Sequence, residues 1–447
     1  MSTSTVPVLE GGFAPVREEV TAVDLRVTGT IPPELNGRLV RIGPNPVTPP
    51  DPATYHWFLG TGMVHGVRLR EGRAEWYRNR YVRDAEVATA QGTERLPGDR
   101  PEDGVVNTHV IGHAGRTLAL VEAGSRPVEL SDELESLARW DFGGTLDGSF
   151  TAHPKLDPAT GELHGVTYHW SWDHVRHVVV DADGRVRREL AVPVPDGPMV
   201  HDCALTERYV VLLDLPVTFR MEAAAAGAPF PYRWNPAHRP RVGLLPREGA
   251  AGEVRWLEAP ECYVFHTLNA YDEVGANGTA RVVVDLVRHP RMFATVHNAP
   301  SEGTPTLERW TLDPTAGTVS VTELDDAGQE FPRHDERLVG RRHRYGYTAA
   351  IAEGLVSGGA LKHDLATGRR EAHDYGPGRS TLEPVFVPRA PDAAEDDGWV
   401  LSTVYDATTG RSDVVILHAQ DFAGDPVATI HLPVRVPFGF HGSWIPD

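Results

Sequence analysis

The sequence of 447 residues predicts an all-β fold made of many short strands, and three observations support this. Valine and other strand-favouring residues recur in short runs that turn-forming residues bound. A turn signature of aspartate, three further residues and glycine recurs between such runs. The chain also has 44 glycines and 37 prolines, which is typical of many turns and few long helices.

Four segments carry the strand signal most clearly. Each is rich in β-branched residues and is bounded by residues that favour turns. They are VRHVVVDADGRVRREL (175–190), RYVVLLDLPV (208–217), ARVVVDLV (280–287) and GWVLSTVYD (398–406). We therefore expect nearly the whole chain to consist of strands and turns.

The turn signature occurs in LDPATGEL (156–163), LDPTAGTV (312–319), HDLATGRR (363–370) and YDATTGRS (405–412). Aspartate can accept a hydrogen bond from its own downstream backbone, and glycine tolerates positive φ, so each segment predicts a hairpin loop. The last three turns begin at Asp313, Asp364 and Asp406. The spacing between them is close to the length of a propeller blade, roughly 40 to 50 residues. This spacing favours a propeller, although sandwiches and barrels show similar turns.

Two segments depart from the strand pattern. LSDELESLARW (130–140) predicts a short helix, because Asp132 can cap it and Glu135 follows three positions later, as in a capping box. FRMEAAAAGAPFPYRWNP (219–236) has an alanine run followed by aromatic residues among prolines. It predicts either an ordinary surface insertion or a loop that forms a lid or an entrance for substrate.

Charge and cysteine content exclude several classes of protein. The formal net charge of -19 argues against nucleic acid as a partner. Cys203 and Cys262 are too few for a disulfide scaffold or a cysteine-based zinc cluster, so we expect a cytoplasmic protein. The sequence shows no secretion signal and no membrane span. It also shows no linker, so residues 1–447 predict a single domain.

Four of the 21 histidines lie in a distinctive setting. Each is near a probable strand end, with proline, glycine, asparagine or aspartate within three residues, whereas a lone histidine in a strand is more often a packed core residue. In a propeller the inner ends of the blades converge on one axis, so metal ligands far apart in sequence can meet there. The four are His153, His201, His266 and His441.

These four segments resemble the carotenoid cleavage oxygenase family, which includes carotenoid, apocarotenoid and lignostilbene dioxygenases. GRLVRIGPNP (37–46) and YHWFLGTGMVHGVRLREGRAEWYRNRYVR (55–83) resemble the family as well, and the motifs follow the family's order over nearly the whole chain. The resemblance implies a seven-bladed β-propeller with a dome of loops and short helices over the metal site. It also implies that His153, His201, His266 and His441 bind Fe(2+), and that the terminal strand closes the ring.

The resemblance further implies that three glutamates support the ligands, at Glu122, Glu330 and Glu383. Each is expected to accept the outer N–H of one ligand histidine and so fix its tautomer and ring orientation. With 62 acidic residues in the chain, ordinary surface carboxylates are the alternative. All three have apolar neighbours in sequence, however, and a buried carboxylate without a partner is unfavourable.

The reaction that the resemblance implies is oxidative cleavage of a carbon–carbon double bond by O2, which gives two carbonyl products. Neutral imidazoles leave a bound divalent ion its full charge, and four of them leave two positions open on an octahedral ion. No organic cofactor is expected, and no protein acid or base is predicted. A propeller that only binds apolar ligands or proteins is the alternative from another class.

The substrate is less constrained than the reaction. Stilbene cleavers of the family bind a phenol hydroxyl with a tyrosine and with a lysine directly before the first supporting glutamate. Tyr81 is the candidate for the tyrosine, but the position of the lysine is Val121 here. Because a phenolate would lack its cationic partner, we expect a carotenoid or apocarotenoid as the substrate. Stilbenoids and vinyl or propenyl phenols are the alternative. Membrane contact near 221–232 is expected to be weak, and the sequence leaves the oligomeric state open.

Overall fold

The computed structural model describes residues 6–275, 278–353 and 355–447, and almost all of its regular structure is strand. In chain order the strands are β1 (Thr21–Val23), β2 (Val27–Gly29), β3 (Gly37–Pro44), β4 (Gly62–Arg70), β5 (Arg73–Tyr81), β6 (His109–His113), β7 (Arg116–Leu120), β8 (Val128–Leu130), β9 (Ser136–Arg139), β10 (Lys155–Leu156), β11 (Leu163–Thr167), β12 (His174–Val180), β13 (Val186–Pro193), β14 (Cys203–Leu205), β15 (Tyr209–Asp214), β16 (Val217–Phe219), β17 (Tyr232–Trp234), β18 (Arg241–Pro246), β19 (Arg255–Glu258), β20 (Thr267–Val274), β21 (Ala280–Arg288), β22 (Thr306–Asp313), β23 (Thr318–Asp325), β24 (Gln329–Arg333), β25 (Tyr345–Glu353), β26 (Val356–Asp364), β27 (Arg369–His373), β28 (Arg379–Thr381), β29 (Val385–Pro388), β30 (Gly398–Asp406), β31 (Arg411–His418), β32 (Ala428–His431) and β33 (Gly442–Pro446).

Helices are few and short in the described residues. The α-helices are α1 (Ala85–Gln91) and α2 (Met221–Ala225). Single turns of 3₁₀-helix occur at Gly11–Phe13, Trp57–Leu59, Ala251–Glu253, Glu336–Leu338 and Ala419–Asp421. Within the described part of the chain, none of these helices has the length and apolar character needed to cross a bilayer.

Seven antiparallel sheets form the blades of a β-propeller, as the resemblance implied. Blade 1 has the strand order β33-β3-β4-β5-β1, blade 2 is β6 to β9, blade 3 is β10 to β13, blade 4 is β14-β15-β18-β19, blade 5 is β20 to β23, blade 6 is β24 to β27, and blade 7 is β28-β30-β31-β32-β2, with β29 also paired to β30. The core lies within and between these blades, where Trp310, Trp399 and Tyr77 are fully buried.

Strands from both ends of the sequence close the ring. β33 pairs with β3 in blade 1, and β2 pairs with β32 in blade 7. Gly442 permits the close approach of β33 to β3, because a Cβ atom there would lie 2.3 Å from the backbone oxygen of Val40. The terminal strand therefore closes the propeller, and it begins directly after His441.

The four predicted strand segments are confirmed as β12 with β13, β15, β21 and β30. The four aspartate turns are also confirmed. In each turn an aspartate Oδ1 accepts a hydrogen bond from the backbone N–H two residues later, and the glycine has a φ between 65° and 72°. The turns at Asp313 and Asp364 occupy the same place in consecutive blades, between the third and fourth strands, which explains their spacing.

The helix predicted over 130–140 is wrong, because this segment comprises the end of β8, the turn that follows it and all of β9. Ser131 accepts hydrogen bonds through its Oγ from the backbone N–H groups of Glu133 and Glu135, which favours a turn over a helix. Leu134 has a φ of 68°, which is incompatible with a right-handed helix, and its side chain is fully buried. Burial of Leu134 therefore outweighs the local helix signal of Asp132 and Glu135.

Residues 219–236 leave the blade pattern, as the sequence predicted. β16 and β17 form a separate two-stranded sheet, and α2 lies between them. The segment interrupts blade 4 between β15 and β18. It forms part of the dome above the propeller rather than part of the ring.

Candidate metal centre and substrate cavity

Four histidines from four blades meet at one point. Each directly precedes, by one or two residues, the edge strand of its blade: β10, β14, β20 and β33. One nitrogen from each ring lies within 4.8 Å of a nitrogen from every other ring. The four are His153, His201, His266 and His441. The structure thus brings together the residues that the sequence proposed as ligands.

The imidazoles are suited to a cation. All four side chains are buried, and the Nε2 atoms of His153 and His266 have no hydrogen-bond partner in the described part of the chain. Burial lowers the pKa of both His153 and His441 well below its usual value, so these rings are neutral. Neutral imidazoles with unused, converging nitrogen atoms are the donor set that a transition-metal ion requires, so the site fits such an ion.

Three of the histidines each contact one glutamate through Nδ1. His201 Nδ1 lies 2.5 Å from Glu122 Oε2, and His441 Nδ1 lies 2.8 Å from Glu383 Oε1. His266 Nδ1 lies 2.5 Å from Glu330 Oε2. An Nδ1–H that donates to a carboxylate leaves the Nε2 lone pair directed at the cluster. Among the described residues, His153 forms no such ion pair.

Glu330 and Glu383 stay ionised although they are buried. Burial alone would raise the pKa of Glu330, but His266 and His289 outweigh it and hold the pKa well below its usual range. Burial acts in the same direction on Glu383, where Arg333 and His441 hold the pKa far below its usual range. The ionised Glu330 in turn raises the pKa of His266 against the effect of burial. Each pair is thus a charged acceptor with a positioned donor.

A cavity of about 700 Å³, the dome cavity, opens onto three of the histidines: His201, His266 and His441. Most of its wall is aromatic or aliphatic, with Phe58, Val121, Phe230, Phe265 and Phe440 among the lining residues. The inserted segment 219–236 supplies one side of it. An apolar cavity of this size with a few converging polar groups is the usual form of a small-molecule site.

Comparisons with known proteins agree with this arrangement. The sequence model of the family described as retinal pigment epithelial membrane protein matches residues 13–446. A carotenoid cleavage oxygenase of Mycobacterium tuberculosis is 44% identical over 98% of this chain and 97% of its own. The chain belongs to the carotenoid cleavage oxygenase family. It is an oxygenase that cleaves a carbon–carbon double bond with O2.

Solved structures of family members match over the whole fold. The lignostilbene dioxygenase of Pseudomonas brassicacearum superposes with a TM-score of 0.89 at 31% identity, with all of both chains covered. A variant of the Synechocystis apocarotenoid oxygenase superposes with a TM-score of 0.87 at 27% identity, with 98% of each chain covered. The shared fold therefore extends to proteins named for two classes of substrate.

Of the two residues predicted to bind substrate in this oxygenase, Val121 lines the dome cavity and Tyr81 does not. Tyr81 Oη donates a hydrogen bond to the backbone oxygen of Val16 and accepts one from Asn45 Nδ2. Its ring packs with Met63 and Val87, away from the histidines. The structure therefore corrects the assignment of Tyr81, whose position at the end of β5 is fixed by packing.

The two cysteines of this oxygenase are buried and free. Burial raises the pKa of both Cys203 and Cys262 to about 12, so the thiols are protonated. Neither belongs to the group of converging ligand atoms found among the described residues. They fill space in the core near the histidines.

Sequence patterns did not reveal the further groups that contact the three glutamates. Tyr168 Oη donates to Glu122 Oε1 at 3.1 Å, and His289 Nε2 lies 2.8 Å from Glu330 Oε1. Arg333 pairs with Glu383 at 3.3 Å. A tyrosine, a histidine and an arginine share no motif, and only the fold brings them to the carboxylates.

Proposed function

We propose that this oxygenase uses Fe(2+) to cleave one double bond of a carotenoid or apocarotenoid, giving two carbonyl products. The convergence of His153, His201, His266 and His441 beside an apolar cavity carries the proposal. Bound iron would supply the centre at which O2 is activated. Imidazole ligands favour the ferrous ion over the ferric ion, because they add no negative charge to the centre.

The protein's own part is to hold the ligands and to position the alkene. Glu122, Glu330 and Glu383 keep three imidazoles in one tautomer and one orientation. The rings of Phe265 and Phe331 lie 5.0 Å from His201 and 5.5 Å from His266, between centroids. These rings exclude water from the side of the histidine cluster that faces the cavity. They also position an apolar substrate chain next to the cluster.

The lining of the dome cavity supports an uncharged polyene as the substrate. No lysine or arginine lines the cavity within the described parts of the chain, and Val121 stands where the family's stilbene cleavers have a lysine. Burial raises the pKa of both Tyr168 and Tyr232, so their hydroxyls stay neutral. A phenolate would therefore find no cationic partner there, whereas a polyene needs none.

Stilbenoids and propenyl or vinyl phenols are the second candidate. The TM-score of 0.89 to a lignostilbene dioxygenase supports it. Incubation of the iron-loaded protein with an apocarotenal and with a hydroxystilbene, followed by mass spectrometry of the products, separates the two. We expect aldehydes from the apocarotenal, and cleavage of the stilbene alone would reverse the order. Labelling with ¹⁸O₂ then shows whether both carbonyl oxygens come from O2.

The mouth of the dome cavity suggests how an insoluble substrate arrives. Leu59, Trp170 and Met221 are exposed there, at 41%, 50% and 60%. We propose that this rim makes a weak, transient contact with a lipid phase. We also propose that the protein is cytoplasmic and forms one domain over residues 1–447. Co-sedimentation with neutral lipid vesicles tests the contact, and Trp170→Ser with Met221→Ser should abolish it.

A further inference from the structure

A second cavity, of about 770 Å³, reaches the same four histidines from another side. His201 lines only the dome cavity, and His153 lines only the second cavity, while His266 and His441 line both. The cluster therefore lies between the two cavities. We name the second cavity the axial channel, because edge strands of five blades line it: β6, β10, β20, β24 and β33.

The axial channel runs from solvent to the cluster. Exposed residues line its outer part, among them Asp132, Leu156 and Glu336. Buried residues line its inner part, among them Thr267 and Ser443 next to the histidines. Its lining is more polar than that of the dome cavity and, unlike the dome, includes basic side chains as well as acidic ones.

The charges along the channel are paired. Arg38 Nη2 lies 3.0 Å from Asp132 Oδ1, and Lys155 Nζ lies 2.9 Å from Asp202 Oδ1. Arg68 pairs with Asp447 at 2.8 Å. Paired charges of both signs leave no strong field against an ion of either sign, and their free oxygen atoms can solvate a hydrated cation. The described lining holds six basic and five acidic side chains, so it carries little net charge.

The dome cavity is a poor path for such an ion. The carboxylates Glu102, Glu122, Glu302 and Glu330 also line the dome cavity, but most of its surface is apolar. Between Phe58, Phe230 and Phe265 a hydrated divalent ion would lose water without gaining polar partners, which is strongly unfavourable. We propose that the axial channel is the route by which the divalent metal ion reaches the four histidines, while substrate enters through the dome. This inference rests on the proposed metal centre.

A fifth histidine at the inner end of the channel is a weaker ligand for the ion than the four histidines of the cluster. His109 lies there, with its ring centroid 5.3 Å from that of His441. His109 Nδ1 donates to the backbone oxygen of Ala152, so Nε2 carries the lone pair, and Ser443 Oγ lies 3.2 Å from it. That lone pair is engaged by a hydroxyl, whereas Nε2 of His153 and of His266 is unused.

The test measures the rate at which metal-free, folded protein takes up Co(2+), followed by the visible absorbance of the bound ion. Charge is placed at the channel mouth with Leu156→Lys and Leu156→Glu. The matched pair at the dome mouth is Met221→Lys and Met221→Glu. The pair at Leu137, which is 45% exposed and lines neither cavity, is the control. Thermal melting confirms that all six variants fold.

We expect Leu156→Lys to slow uptake and Leu156→Glu to speed it, each by about two- to fivefold at low salt, and the difference to shrink above about 0.1 M salt. Both other pairs should match the wild type. A response at Met221 instead of Leu156, or equal rates in all variants, overturns the channel proposal. If the wild type binds one Co(2+) and His201→Ala binds none, the proposed metal centre stands, whatever the uptake rates show about the channel. A wild type that binds no Co(2+) overturns the centre and the channel together.

Discussion

The metal centre and the dome cavity are built in different ways. The centre takes its histidines from equivalent places, directly before the edge strands of four blades, so the repeat of the propeller fixes their convergence. The dome takes its wall from irregular segments, above all 219–236, which lie outside every blade. The ring can therefore keep one reaction while the dome changes the substrate, as is usual for loops on a rigid scaffold. Variants of the two regions should differ accordingly.

The largest effect is expected at the centre itself. His201→Ala removes one of four ligands, so bound iron should fall to the background level and turnover of every substrate should be lost. Metal analysis after anaerobic reconstitution, together with product assays on two substrate classes, measures this. His174→Ala, on β12 and outside the cluster, is the control and should keep its iron. An active His201→Ala protein would falsify the ligand assignment.

The next largest effect is expected at the carboxylates that orient the ligands. Glu330→Gln and Glu383→Gln should each lower iron affinity or rate by about 10- to 100-fold for all substrates alike, because an amide is a weaker and ambiguous acceptor. Titration with ferrous ion under anaerobic conditions gives the affinity.

Glu336→Gln is the matched control for the carboxylates. This exposed residue pairs with Arg333, which also pairs with Glu383, but it contacts no ligand histidine. Its equilibrium affinity for iron should match that of the wild type. Equal iron retention in Glu383→Gln and Glu336→Gln would show that orientation of His441 does not depend on the carboxylate.

Sequence patterns predicted the ring better than they predicted its surroundings. The aspartate turns were found because turn chemistry is a local rule. His441 was found because it lies beside a predicted strand end, in a segment that resembles the family. The helix over 130–140 was wrong because burial of Leu134, a tertiary effect, overrides the capping signal. Tyr168 was missed and Tyr81 misplaced because the contacts of a tyrosine depend on which segments the fold brings near it.

A smaller effect, of a different kind, is expected in the dome. Val121→Lys places an amine beside Glu122 in the cavity, where it can pair with a phenolate. We expect the ratio of kcat/KM for a hydroxystilbene to that for an apocarotenal to rise about tenfold, with unchanged iron content. Val121→Met, which adds length without charge, is the control. A fall for both substrates with loss of iron would instead show that Val121 supports the centre.

The smallest effect is expected at Tyr168, which belongs to both regions: it lines the dome cavity and donates to Glu122 Oε1. Tyr168→Phe removes one hydrogen bond to a carboxylate that keeps its contact with His201, so iron affinity should fall by only about three- to tenfold. Tyr232→Phe is the control, because Tyr232 also lines the cavity and its ring centroid lies 5.9 Å from that of Tyr168. It should alter KM at most and leave iron affinity unchanged. If Tyr168→Phe changes only KM, the metal centre and the dome cavity are independent even at this residue. If it lowers iron affinity, the Tyr168 hydroxyl couples them.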